Sequence, residues 1–185
     1  MNFAKIKSIS RLIVLIIVSN SFTKCTSHSQ NDNNKSLAGM YKLYRIEEQD
    51  SIGIWRQSDW AKGGEGYIIY DGLGHMAVQI IPNGYKDFKW LSEEHALNEK
   101  AVQQKTDSMS LSELKAAVLE FASNYVYVAD YSIDDTSNII THKRLTSTIP
   151  SIWNTDVKRK FSFNGDTLIL RNPNANRILK WIRQK

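Results

Sequence analysis

Hydrophobic and polar positions fall into three regimes along the chain. Leu12-Ile13-Val14-Leu15-Ile16-Ile17-Val18 is an unbroken apolar run, and Thr26 to Lys35 is polar with no apolar anchor. From Leu37 onward, short runs of alternating character are separated by turn residues, the pattern of an antiparallel sandwich or barrel. Eight such runs are predicted as strands: Met40–Glu47, Tyr67–Tyr70, His75–Ile81, Tyr125–Ile133, Ile139–Thr146, Val157–Phe163, Thr167–Arg171 and Arg177–Arg183. Asp71-Gly72-Leu73-Gly74 and Asn164-Gly165 supply residues that accept positive φ and close hairpins, and Asp134-Asp135-Thr136-Ser137-Asn138 forms a looser one.

Alternation also sorts the faces. Tyr125, Tyr127, Ala129, Tyr131 and Ile133 share one face of their strand, and Val157, Arg159, Phe161 and Phe163 share one face of theirs. The period changes between the third and fourth strands. Ser110 with Glu113 three residues on is a capping box, followed by Leu111, Leu114, Val118 and Phe121 at helical spacing. Ser92–Gln104 predicts a second helix, with Ser92 as cap and Glu93 and Glu94 in its first turn. The fold class is therefore mainly β: an antiparallel eight-stranded barrel with a short helical insertion, the helices either lidding one end or packing outside. A helix-backed curved sheet of the NTF2-like kind is the competing architecture.

The first regime is a targeting segment. Lys5, Lys7 and Arg11 precede the apolar run, which at seven residues is far shorter than the roughly 20 a spanning helix needs. Residues 1–24 read as a signal peptide. Cleavage after Ser21 would release a soluble exported protein. The favoured alternative takes Phe22-Thr23-Lys24-Cys25 as a lipobox, although Lys24 departs from the usual small residue. The single cysteine of the chain then becomes the lipidated N-terminus, and residues 25–36 a lipidated Cys25 with a flexible tether to a domain at 37–185. Each buried CH₂ of an acyl chain contributes about 0.8 kcal/mol, so two or three chains anchor stably.

This changes the charge picture. The chain carries 24 basic and 19 acidic residues, net +5, but Lys5, Lys7, Arg11 and Lys24 belong to the signal, leaving 20 basic against 19 acidic. A nucleic-acid partner loses its support, and Lys158-Arg159-Lys160 reads as a solvated strand edge. One cysteine excludes a disulfide framework and multi-Cys zinc. No HExxH, His-x-His, P-loop, dinucleotide fingerprint or nucleophile elbow occurs, so no metal and no cofactor are expected.

Several stretches then carry a resemblance: Leu37-Ala38-Gly39-Met40-Tyr41-Lys42-Leu43, Gly66 to Met76, Ala129-Asp130-Tyr131-Ser132-Ile133-Asp134, Thr141-His142, Asn164-Gly165-Asp166-Thr167-Leu168-Ile169-Leu170 and Leu179-Lys180-Trp181-Ile182-Arg183. Their ordered set resembles the bacterial lipocalin-like domain proteins over most of the chain after Cys25. The resemblance implies a lipocalin-type barrel. It also implies that Tyr41, standing where the family has Trp, joins Arg183 in closing one end. Ala129 stands where the family has glycine.

An eight-stranded barrel is just wide enough to be filled by side chains or to hold one small ligand, so the leading function is envelope-anchored binding of a small apolar or amphipathic molecule. Arg159 is the first candidate contact, since a guanidinium sharing a face with Phe161 needs either a carboxylate partner or an anionic ligand, unless it reaches solvent at the strand's open end. Tyr127 and Tyr131 either offer hydroxyls to the same cavity or pack as core, and Met76 and Phe161 complete the candidate lining. His142 is either a satisfied barrel histidine or a proton-transfer group. The latter defines the alternative function, a cofactor-independent isomerase- or cyclase-like enzyme acting on a small anionic substrate.

Overall fold

The computed structural model describes residues 36–60, 62–84, 93, 97–174 and 176–185. Residues 1–35, which hold the expected signal segment and Cys25, and Ser92 lie outside the described residues.

The chain runs β1 (Gly39–Gln49), β2 (Trp55–Gln57), β3 (Glu65–Tyr70), β4 (His75–Ile81), α1 (Glu99–Asp107), α2 (Leu111–Ser123), β5 (Tyr125–Asp134), β6 (Ile139–Ser147), a 3₁₀ turn (Pro150–Ile152), β7 (Asp156–Asn164), β8 (Thr167–Arg171) and β9 (Arg177–Arg183). Strands β1 and β3 to β9 pair in that order, all antiparallel, and β9 pairs back onto β1, so the sheet closes into an eight-stranded barrel. The two described helices lie between β4 and β5, the third and fourth barrel strands, as the change of period predicts.

β2 is an addition to the expected set. It extends β1 beyond its barrel partner, with Glu47 opposite Gln57 and Gln49 opposite Trp55. Three residues are too few for alternation to register, and the guanidinium of Arg171 steadies the flap from β8, 5.4 Å from the centre of the Trp55 ring.

Turn chemistry explains the register. Asp71 Oδ1 accepts from the backbone N–H groups of Leu73, Gly74 and His75 at 2.7, 3.0 and 2.9 Å, so one carboxylate organises the whole β3–β4 turn. Asp134 accepts from Thr136 and Ser137 in the β5–β6 turn, where Asn138 holds φ +53°. Ser110 and Glu113 form the reciprocal capping box of α2; α1 spans Glu99–Asp107 with Asn98 as its cap, and the expected cap Ser92 falls outside the described residues.

The core fills the barrel interior: Leu37, Tyr41, Ile68, Tyr70, Met76, Tyr127, Ile140, Leu168 and Trp181 are all buried. α2 presents its apolar positions differently from a core helix. Only Ala117 is buried, while Leu111, Val118 and Leu119 are exposed. Helical spacing identifies an apolar face but not whether anything lies against it.

Candidate functional site

One end of the barrel is sealed. Tyr41 Oη donates to the carbonyl of Leu37 at 2.8 Å, folding the residues before β1 across the opening. Arg183, at the end of β9, lays its guanidinium over the Tyr41 ring and donates to the carbonyls of Ala38 (2.6 Å) and Ser36. Burial raises the Tyr41 phenol to about 12 despite the Arg183 charge, so its hydroxyl stays protonated as a donor. The pair closes the end as the family resemblance implies.

The middle of the barrel is occupied by a polar cluster within aromatic packing. His142 on β6 is 1% exposed and stands between two hydroxyls, its Nε2 3.0 Å from Tyr70 Oη and its Nδ1 2.9 Å from Tyr127 Oη. A neutral imidazole has one N–H and one bare nitrogen, so one tyrosine accepts from the ring while the other donates to it. Burial, reinforced by the charges of Arg159 and Arg144, pushes His142 down to about 3 and keeps it neutral. Tyr70 and Tyr127 are pushed up by the same burial. The rings continue in both directions: Tyr70 meets Tyr131 edge-on at 5.1 Å, and Tyr127 meets Tyr125 edge-on at 5.5 Å.

Above this cluster, at the opposite end from Arg183, the barrel opens. A cavity of about 150 Å³ is lined by Ile46, Trp60, Ile80, Tyr125, Arg159, Arg177 and Leu179. It continues into a wider vestibule of about 410 Å³ that shares Arg159, Arg177 and Leu179 and adds Glu48, Gln49, Asn172 and Asn176. Trp60 reaches the mouth because the chain after β2 is tied down: the N–H of buried Ser58 donates to the carbonyl of Ile46 at 2.9 Å. The Trp60 ring meets Tyr125 at 6.1 Å and 83°, an edge-to-face contact.

The two cations of the mouth differ. Arg177 donates through Nε and Nη2 to one carboxylate oxygen of Glu48. Arg159 donates to the carbonyl of its own neighbour Lys158 at 3.3 Å, and among the described residues no carboxylate pairs with it. Its inward placement follows from the β7 alternation: Arg159 pairs with Ile140 and Phe161 with Leu170, both partners buried.

The predicted site residues therefore separate by depth. Arg159 lines the mouth. Tyr127 and His142 lie in the polar cluster, and Met76, Tyr131 and Phe161 in the packed core. Sequence reasoning missed Ile46, Trp60, Ile80, Tyr125, Arg177 and Leu179. Alternation signals that Ile80 and Leu179 face inward, but Trp60 sits in a loop without periodicity. Among the described residues no three His, Cys, Asp or Glu side chains gather as metal ligands would. The site offers instead an apolar pocket with one uncompensated guanidinium, suited to non-covalent recognition of a small molecule bearing negative charge.

The lipocalin-like domain profile matches residues 38–183, from the segment that seals the closed end to Arg183 itself. The chain belongs to the lipocalin-like domain family. A similar solved structure is a lipocalin-like protein from Bacteroides uniformis ATCC 8492, at 10% identity and TM-score 0.40, covering 80% of this chain and 98% of that one. No curated protein matches the chain. A lipocalin-like barrel is a fold suited to holding small ligands, and among the described residues a cavity for one lies at the open end, lined by Trp60 and Arg159.

Proposed function

We propose that this lipocalin-like protein is exported, anchored to the cell envelope through Cys25, and binds one small apolar or amphipathic molecule at the open mouth of its barrel. The observation that carries the reading is the pocket itself: apolar walls from Ile46, Ile80 and Leu179, two aromatic rings, and a guanidinium with no carboxylate partner among the described residues. A partly buried guanidinium without a carboxylate partner among the described residues is one that an anionic ligand would compensate.

A proton-transfer reading requires an imidazole facing the ligand. His142 is not in the lining, and both its ring nitrogens are engaged by tyrosines, so binding is the function we carry forward. The anchor rests on the apolar run 12–18, the basic residues before it, and the placement of the one cysteine ahead of a polar stretch.

Native mass spectrometry of gently purified protein tests the binding reading: a co-purifying small molecule is expected, and a clean apo mass together with no uptake of small apolar or anionic probes overturns it. Mass analysis of the mature N-terminus tests the anchor. A diacylated Cys25 is expected, and an unmodified chain beginning at Phe22 overturns it.

A further inference from the structure

The barrel of this chain is shallower than its strand number suggests. Tyr127, His142, Tyr70, Tyr41 and Trp181 are at most 4% exposed and occupy the interior from the middle to the sealed end. What the described residues leave open at the other end is the 150 Å³ pocket. A dry cavity of about that volume accommodates one benzene. Among the described residues a long acyl chain finds no continuation of the apolar walls, because beyond the pocket lies the vestibule edged by Glu48, Gln49, Asn172 and Asn176.

Charge and shape narrow the choice further. Glu48 neutralises Arg177, so among the described residues the mouth presents one net positive charge, at Arg159. Its planar donor fork fits a carboxylate with two parallel hydrogen bonds. Trp60 and Tyr125, set at 83°, offer a guest ring one aromatic face and one edge, and Ile46, Ile80 and Leu179 close the remaining sides.

We propose that the ligand is a small aromatic monocarboxylate of about the size of benzoate, its carboxylate on Arg159 and its ring against Trp60 and Tyr125. The assignment rests on the binding reading above and specifies its ligand class.

Isothermal titration of the full chain with benzoate, benzyl alcohol, hexanoate and palmitate tests it, with the Trp60 indole N–H followed by NMR. Benzoate is expected to bind and shift that resonance, with benzyl alcohol and hexanoate at least tenfold weaker and palmitate no tighter than benzoate. Arg159→Met should weaken benzoate at least tenfold, and Trp60→Leu severalfold while keeping the carboxylate requirement. Palmitate binding tenfold tighter than benzoate overturns the size argument and leaves barrel binding standing. Hexanoate equal to benzoate overturns the aromatic assignment. Benzoate affinity unchanged in Arg159→Met overturns the role of the guanidinium. Absence of binding by all four probes overturns the proposal, while a co-purifying molecule of other chemistry in native mass spectrometry would keep the binding reading alive.

Discussion

The Arg183 guanidinium lies 4.7 Å from the centre of the Tyr41 ring, joining the last strand of the barrel to the first across its sealed end. β1 and β9 are already paired there, with Tyr41 opposite Arg183 in the ladder. The cation–π contact and the hydrogen bonds to Ala38 and Ser36 add a second tie, which holds Leu37 fully buried in the opening. Tyr serves here in place of an indole because its hydroxyl reaches the Leu37 carbonyl that the folded segment would otherwise leave buried and unsatisfied.

Arg183→Ala removes the stack and the donors to two carbonyls, and should cost about 2–3 kcal/mol. Tyr41→Phe keeps the ring and loses only the hydroxyl, costing about 1–2 kcal/mol. Urea unfolding of both variants checks the order. Equal costs would mean that the stack and the two arginine hydrogen bonds together contribute no more than the single tyrosine hydroxyl.

Gly39 is required twice over at this end. Its φ is +142°, and a Cβ there would sit 2.7 Å from Arg183 Nη1. Gly39→Ala should therefore destabilise by more than about 1 kcal/mol. In the Arg183→Ala background the clash disappears and only the backbone strain remains, so a double-mutant cycle should show a smaller penalty. Strict additivity in that cycle would remove the clash from the explanation.

His142 makes the barrel sensitive to acid in a defined window. Its folded value of about 3 lies below the ordinary 6.5, so the unfolded chain binds a proton that the folded one refuses. The stabilisation is complete above about pH 6.5 and is lost progressively as pH falls toward 3, with a slope approaching about 1.4 kcal/mol per pH unit. His75, raised by its hydrogen bond to Asp71, acts oppositely: its contribution is present below 6.5 and lost as pH rises through its raised folded value. Asp71 and Asp134, both held near 2, contribute above the ordinary carboxylate range and lose that contribution at lower pH. Between pH 5 and 6 the slope is thus mainly that of His142. His142→Gln, whose amide both donates and accepts, should flatten denaturant-derived stability across that interval. An unchanged slope in the variant would place the acid sensitivity elsewhere.

How much of this was legible from residues alone depends on what each pattern encodes. The bounds of β4, β8 and β9 match expectation because each is set by strong alternation between turn signals, and the Ser110–Glu113 box marks α2 directly. Alternation also put Arg159 on the inner face. It could not separate Arg159 from Tyr131 or Met76, because alternation reports which side a residue faces and not its depth along the barrel axis. Depth comes from the register of neighbouring strands, such as Tyr127 opposite Val78 and Ile140 opposite Arg159, and from Trp60, which an Ile46 backbone hydrogen bond brings over the mouth. The apolar face of α2 shows the same gap from the other side, since spacing defined Leu111 and Val118 as a face but not its neighbour.

Arg159 should contribute nothing to the stability of the ligand-free barrel. Replacing it with Met removes a partly buried charge that has no carboxylate partner among the described residues and adds apolar contact to Leu179 and Ile46, both in the same lining. Thermal unfolding should show an unchanged Tm or a rise of a few degrees, on the scale of about 2–4 °C per kcal/mol for a domain this size. A loss of more than about 1 kcal/mol would mean that the guanidinium holds structure, and the anion reading would lose its main support.

Glu48 sets how much positive charge the mouth presents. It accepts two hydrogen bonds from Arg177, so Glu48→Gln cancels the carboxylate charge with little change of shape and releases a second cation into the vestibule it shares with Arg159. A single-charge ligand gains modestly, since Arg159 already meets its carboxylate. A dianion such as phthalate gains more, because its second carboxylate can reach Arg177, and its affinity should rise severalfold relative to benzoate. The extra gain should shrink as salt increases, because both arginines remain partly solvated and are screened beyond about 10 Å at 0.1 M ionic strength. If calorimetry shows phthalate and benzoate responding equally to Glu48→Gln, Arg177 does not face the same space as Arg159, and the selectivity of the mouth for a single negative charge must come from the size of the pocket alone.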